Sequence, residues 1–127
     1  MKIAVSATNA SLDAATDPRF GRCACFVVVE TDDMTFEAID NANNALGHGA
    51  GIQSAQLVAT KGVRTVLTGN CGPNAHETLS AAGIGVAVGC SGTVREAVEQ
   101  FKAGKLQIAG APNVAGHGGM GGGGRRG

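Results

Sequence analysis

From Val63 to Phe101 the chain repeats one pattern: a short β-branched run, a tight glycine-containing turn, then a helix. Val63–Thr68 is an expected strand and Gly69-Asn70-Cys71-Gly72 a turn. Pro73 takes the favoured first position of a helix that runs to Ala82 and closes at Gly83. Ile84–Val88 and Gly89-Cys90-Ser91-Gly92 repeat the unit, and Thr93 caps a helix with Val94, Ala97, Val98 and Phe101 on its apolar face. Strand–helix alternation implies parallel pairing with right-handed crossovers.

The first half has a different rhythm. Lys2–Ala7 reads as a buried strand with Ile3 and Val5 on one face. Asn9–Arg22 is a polar loop. Cys23–Thr31, with Phe26-Val27-Val28-Val29, is the strongest strand signal in the chain. Asp32-Asp33 turns it into a hairpin partner over Thr35–Asp40. A second polar loop, Asn41–Gly51, precedes a helix beginning near Ile52 and ending at Gly62. The fold class that follows is α/β: a mixed sheet of about five strands, with an antiparallel hairpin and helices on both faces. In such open sheets ligands lie beyond the carboxyl ends of the parallel strands, which places a site at the loops after Ala7, Thr68 and Val88.

Composition narrows the function. The 127 residues carry ten Lys+Arg against ten Asp+Glu, so there is no electrostatic footprint for nucleic acid or an acidic membrane. The absence of Trp and Tyr, with only four Phe, leaves little for base stacking. No apolar run approaches a membrane span. Nine of the 21 glycines fall between Gly110 and Gly127, so residues 1–110 are the expected folded unit and 111–127 a flexible Gly-rich tail. The apolar run after Lys2 is broken at Ser6, Thr8 and Asn9, which argues against a signal peptide and for a cytoplasmic chain with reduced thiols.

Chemistry is concentrated in the loops. Cys71 and Cys90 each follow a parallel strand and precede a helix, where the helix dipole favours a thiolate. Cys23 ends the first long loop and can approach the same edge. Thiolates suit Cu(I), zinc and sulfide clusters, but free Cys is also a small hydrophobe. Cys25, inside a strand, reads as core; Cys71 and Cys90 admit both roles. His48 lies in Gly47-His48-Gly49-Ala50-Gly51 just before a helix, a setting for an anion beside a ligand or donor imidazole, or for a solvated loop. Arg19 and Arg22 bracket Phe20-Gly21 and either clamp an anion or stay in water. His76, His117 and Met120 read as solvated. G-x-S-x-G, H-E-x-x-H and the G-x-x-x-x-G-K-[ST] loop are all absent. The first strand, Lys2–Thr8, has no carboxylate for two-metal hydrolysis.

Five ordered blocks carry a resemblance. Asp17-Pro18-Arg19-Phe20-Gly21-Arg22-Cys23, Gly49–Gln53, Leu67–Ala75, Ala82–Val86 and Ser91–Ala97 resemble the dinitrogenase iron–molybdenum cofactor biosynthesis family, of NifX-like and NifB C-terminal type, over about residues 1–108. The resemblance implies a ribonuclease-H-like fold and binding of a metal–sulfur cluster rather than catalysis. The His-rich signature of nitrogenase-linked members is absent and the tail is rich in Gly, His and Met, as in small stand-alone members of the orange-protein type. Their cargo is a molybdenum–copper sulfide cluster. The implied contacts are Arg22, His48, Gly49, Asn70 and Gly72, with Cys23, Cys71 and Cys90 as candidate metal-ligating thiols. Other roles the resemblance leaves open are carriage of an iron–molybdenum cofactor precursor and adaptation to an Mrp/MinD-type P-loop ATPase, the implied protein partner. A nuclease-like enzyme is the rival from another class.

Overall fold

The structure is a computed structural model that describes residues 1–42 and 49–108. Its strands are β1 (Lys2–Ala7), β2 (Cys25–Glu30), β3 (Phe36–Asp40), β4 (Thr65–Leu67) and β5 (Gly85–Ala87). Its helices are α1 (Ala50–Ala59), α2 (Pro73–Ala81) and α3 (Val94–Lys102), and Phe20–Arg22 forms one tight 3-10 turn. The strands make one five-stranded sheet in the order β3-β2-β1-β4-β5. β1 pairs antiparallel with β2 and parallel with β4, and β4 pairs parallel with β5. The α/β reading with an antiparallel hairpin is therefore what the chain forms.

Both faces of the sheet are covered, which explains why β1 is buried at every position after Lys2. Ile3, Val5, Ala7, Val27, Val29, Leu67 and Ala87 pack under α3 through Val94, Ala97 and Val98. The alternate residues Ala4, Phe26, Val28, Val66 and Val86 pack under α1 and α2 through Ala55, Val58, Ala75 and Leu79. A period of two on the strands thus builds two separate cores. α3 begins with a full capping box, in which Thr93 Oγ1 accepts from the Glu96 N–H and Glu96 Oε1 accepts from the Thr93 N–H.

Several boundaries differ from the sequence reading: β2 and β3 are shorter than Cys23–Thr31 and Thr35–Asp40, and α1 ends at Ala59, ahead of Gly62. β4 and β5 are three residues each, because Val63 and Ile84 are buried as the chain enters the sheet but lie ahead of the ladder. α1 starts at Ala50, not near Ile52: Gly49, at φ +79°, turns the loop into the helix and Gly51 already belongs to the first turn. His48 and the stretch from 109 onward, including His117, Met120 and the expected tail, lie outside the described residues.

The topology has one switch point. From β1 the chain moves outward to β2 and β3, then crosses back to β4 and β5 on the other side. The carboxyl ends of β1 and β4 meet there, the place where an open sheet of this kind forms a crevice.

Candidate functional site

The loops after β1 and β4 are stitched together at that crevice. Ser6 Oγ, wholly buried, lies 2.7 Å from the Asp17 carbonyl and 2.8 Å from Thr68 Oγ1. The Asp17 N–H donates to the Ser6 carbonyl at 2.8 Å. The Phe20 N–H donates to the Asn70 carbonyl at 3.4 Å, and Asn70 Nδ2 donates to the Pro18 carbonyl at 3.2 Å. Gly69 rests directly on Pro18: a Cβ there would lie 2.6 Å from Pro18 Cα. The loop after β5 joins the same edge, since the Gly89 N–H donates to the Gly69 carbonyl at 2.9 Å.

Two more glycines bring in the start of α1. A Cβ on Gly21 would stand 2.9 Å from the Gly51 nitrogen, and one on Gly51 would stand 3.2 Å from Ala75 Cβ. The 3-10 turn can therefore meet the start of α1 backbone to backbone, and the start of α1 can close onto the Ala75 side chain of α2. They enclose an open cavity of about 540 Å³ lined by Arg19–Arg22, Gly49–Gly51, Asn70 and Gly72–Ala75.

Among the described residues that lining contains two arginines and no Asp or Glu. α1 and α2 both begin at its wall with no side-chain cap and no acidic residue in the first turn. The first N–H groups of a helix have no intrahelical acceptor, and the dipole adds partial positive charge there. Arg19, Arg22 and two helix starts around a glycine-lined hollow thus present donors and positive potential to one volume, the electrostatics of an anion site. Phe20, buried and tilted on Phe26 with ring centroids 5.1 Å apart, gives it an apolar side.

The thiols lie elsewhere. None of the four cysteines lines the cavity, and all four are free and buried. Cys23 is in the core behind Phe20, donating from Sγ to the Phe20 carbonyl at 3.3 Å. Burial pushes it up from the ordinary 9.0 to about 12. Cys71 sits between two cavity residues, Asn70 and Gly72, but turns into the core under α2, where burial pushes it up to about 11. Proximity to the helix start favours a thiolate, and loss of water outweighs it. Cys90 belongs to the other core, under α3, and Cys25 lies in that same core; burial raises both. Among the described residues no three His, Cys, Asp or Glu side chains gather as a metal-ligand set.

These thiols link stability to alkaline pH. Below pH 9 folded and unfolded chains both hold them protonated. Above it the unfolded chain sheds protons that the folded one keeps, so stability falls as pH rises from 9 toward 12. For Cys23 alone the loss reaches on the order of 4 kcal/mol by pH 12. Urea midpoints measured from pH 7.5 to 11 should decline above pH 9, and less steeply in Cys23→Ala; a midpoint independent of pH across that range would contradict the buried-thiol assignment.

Of the residues singled out from sequence, Arg22, Gly49, Asn70 and Gly72 line one cavity. Cys23 and Cys71 lie in the core behind it, and Cys90 points to the opposite face of the sheet. His48 is outside the described residues. The cavity also gathers Gly21, Gly51 and Asn74, which the sequence marks only as members of its glycine loop and family blocks, and Arg19, for which the sequence leaves open an anion clamp or water. Gly51 had a signal: glycine in a helix costs about 1 kcal/mol relative to Ala, so its presence in a first turn points to a backbone approach.

The chain belongs to the dinitrogenase iron–molybdenum cofactor family, which it matches over residues 1–104. Among solved structures, the apo form of the orange protein from Desulfovibrio gigas is 47% identical, with a TM-score of 0.87 over 89% of this chain and 96% of that one. A Thermotoga protein solved by NMR and described as a NifB candidate is 34% identical, with a TM-score of 0.74 over 84% of this chain and 91% of its own. An uncharacterised protein of Methanocaldococcus jannaschii is 34% identical over 110 residues, 84% of this chain and 90% of that one.

Proposed function

We propose that the protein binds and carries an anionic metal–sulfur cluster, a molybdenum–copper sulfide or related thiometallate, in the cavity at the switch point. The observation that carries this reading is the donor set. Two arginines and two uncapped helix starts face a volume with no carboxylate in its lining among the described residues. Such a cluster brings its own sulfides, so it needs N–H donors and cations more than added thiolates. The cradle supplies those through Arg22, Gly49, Asn70, Gly72 and the first turns of α1 and α2. His48, next to Gly49 in sequence, is a further proposed donor or ligand. Family membership and the likeness to the orange protein support the same reading.

The role is carriage or storage, not catalysis. β1 has no carboxylate, and no acid or nucleophile faces the cavity among the described residues. A cytoplasmic location and docking to an Mrp/MinD-type ATPase belong to the same proposal. No helix among the described residues is long and apolar enough to cross a membrane. The family description supports a second cargo, an iron–molybdenum cofactor precursor, held in the same cradle.

Mixing the purified protein with tetrathiomolybdate and Cu(I) should give a coloured complex that co-elutes with it on gel filtration. Colour that elutes with the small molecules would overturn the reading. Metal analysis of the protein purified without oxygen separates copper from iron as the second metal. Replacement of Cys71 by Ser should leave affinity within about twofold, because its sulfur faces the core and not the cargo. A loss of tenfold or more would assign that thiol to the cluster.

A further inference from the structure

We propose that Arg19 is a second cationic contact for the cargo and that Asp17 is the positioning residue that aims it, an inference that rests on the anion-cradle reading. The Asp17 side chain is 6% exposed, an unusual place for a carboxylate, while the Arg19 side chain it holds is 64% exposed. Asp17 Oδ1 accepts from the Arg19 N–H at 2.9 Å and from Nε at 3.2 Å, and Oδ2 accepts from Nη2 at 3.3 Å. A pair with one partner so open to water contributes little to stability, and burying the carboxylate works against folding. What the arrangement does achieve is orientation. Two parallel contacts fix the plane of the guanidinium from one edge. They leave Nη1, the other terminal nitrogen, without a protein partner among the described residues.

The backbone on either side is equally constrained. Pro18 and Phe20 are each hydrogen-bonded to Asn70, and Pro18 is wedged against Gly69. Arg19 therefore meets the cavity already ordered, with little rotamer entropy left to lose on binding. Asp17 offsets part of its charge, so Arg19 acts as a directed N–H donor. A planar, weakly hydrated guanidinium suits a large, diffuse sulfide anion better than an ammonium does.

The test measures binding of tetrathiomolybdate with Cu(I) to wild type, Arg19→Ala, Arg19→Lys, Asp17→Asn and the double variant D17N/R19A. Arg19→Ala should bind about tenfold more weakly. Asp17→Asn should lose roughly threefold or more, because its guanidinium is no longer fixed. The double variant should match Arg19→Ala, since Asp17 acts only through Arg19. Arg19→Lys should not restore full affinity, because it keeps the charge and loses the fork. If Asp17→Asn does not fold, Arg19→Lys decides, and wild-type affinity in it overturns the proposal. A double variant clearly weaker than Arg19→Ala would remove Asp17 from the positioning role. If wild type binds and Arg19→Ala binds within twofold of it, this inference alone falls. If wild type does not bind, the cradle reading falls and takes this one with it.

Discussion

Replacing Gly69 by Ala is expected to destabilise the fold by about 3 kcal/mol, a fall of roughly 15 °C in Tm, and to abolish cargo binding with it. The added methyl would lie 2.6 Å from Pro18 Cα, 2.8 Å from its Cβ and 3.0 Å from its carbonyl oxygen. Two of those atoms are backbone, and Pro18 is held on both sides by hydrogen bonds to Asn70 and by the Asp17–Ser6 pairing. No flexible side chain can give way, so the loops after β1 and β4 must separate. Gly72→Ala is the control. It stands three residues away in the same turn, at φ −75°, and a Cβ there meets nothing within 4 Å. Thermal melts should find it within about 0.5 kcal/mol of wild type. Equal Tm values for Gly69→Ala and wild type would show that the two loops are not packed as described.

Reversing the charge of Arg22 should cost about a hundredfold in affinity for the thiometallate while changing stability by less than about 1 kcal/mol. Arg22 is exposed and lies on the cavity wall one turn beyond Arg19. Arg22→Glu removes an attraction and adds a repulsion in a lining that otherwise holds no carboxylate among the described residues. Its effect should shrink as salt is raised, because the wall is open to solvent. Titration with tetrathiomolybdate and Cu(I) at low and moderate ionic strength measures both. Undiminished affinity in Arg22→Glu would place the anion somewhere else.

The layout of the sheet was legible because its signals are local. Glycine turns between β-branched runs and helices announce parallel units, and the alternation over Phe36–Asp40 announces a hairpin partner. The edge that gathers Arg22, Gly49, Asn70 and Gly72 followed from that layout and a general rule about switch points. Side-chain direction at a turn was not legible in the same way. Cys71 is flanked by two cavity residues, yet whether its sulfur meets the cavity or the core depends on how the chain enters α2. Cys90 leaves β5 on the side of Ala87, under α3, and only the full sheet fixes that side. The partnership of Asp17 with Arg19 hides for another reason. In sequence it is an acid two residues from a base, a spacing that means nothing until Asp17 is buried. Gly21 and Gly51 lie thirty positions apart, and their need for each other is a property of the packed backbones alone.

The most direct test of the cradle is to follow backbone N–H resonances while tetrathiomolybdate and Cu(I) are added. The reading predicts that the largest shifts fall on Gly21, Gly51, Asn70 and Ala75, with the α3 residues Val94–Lys102 unmoved on the far side of the sheet. Shifts centred on α3, or a bound cluster that leaves those four amides where they were, would contradict it.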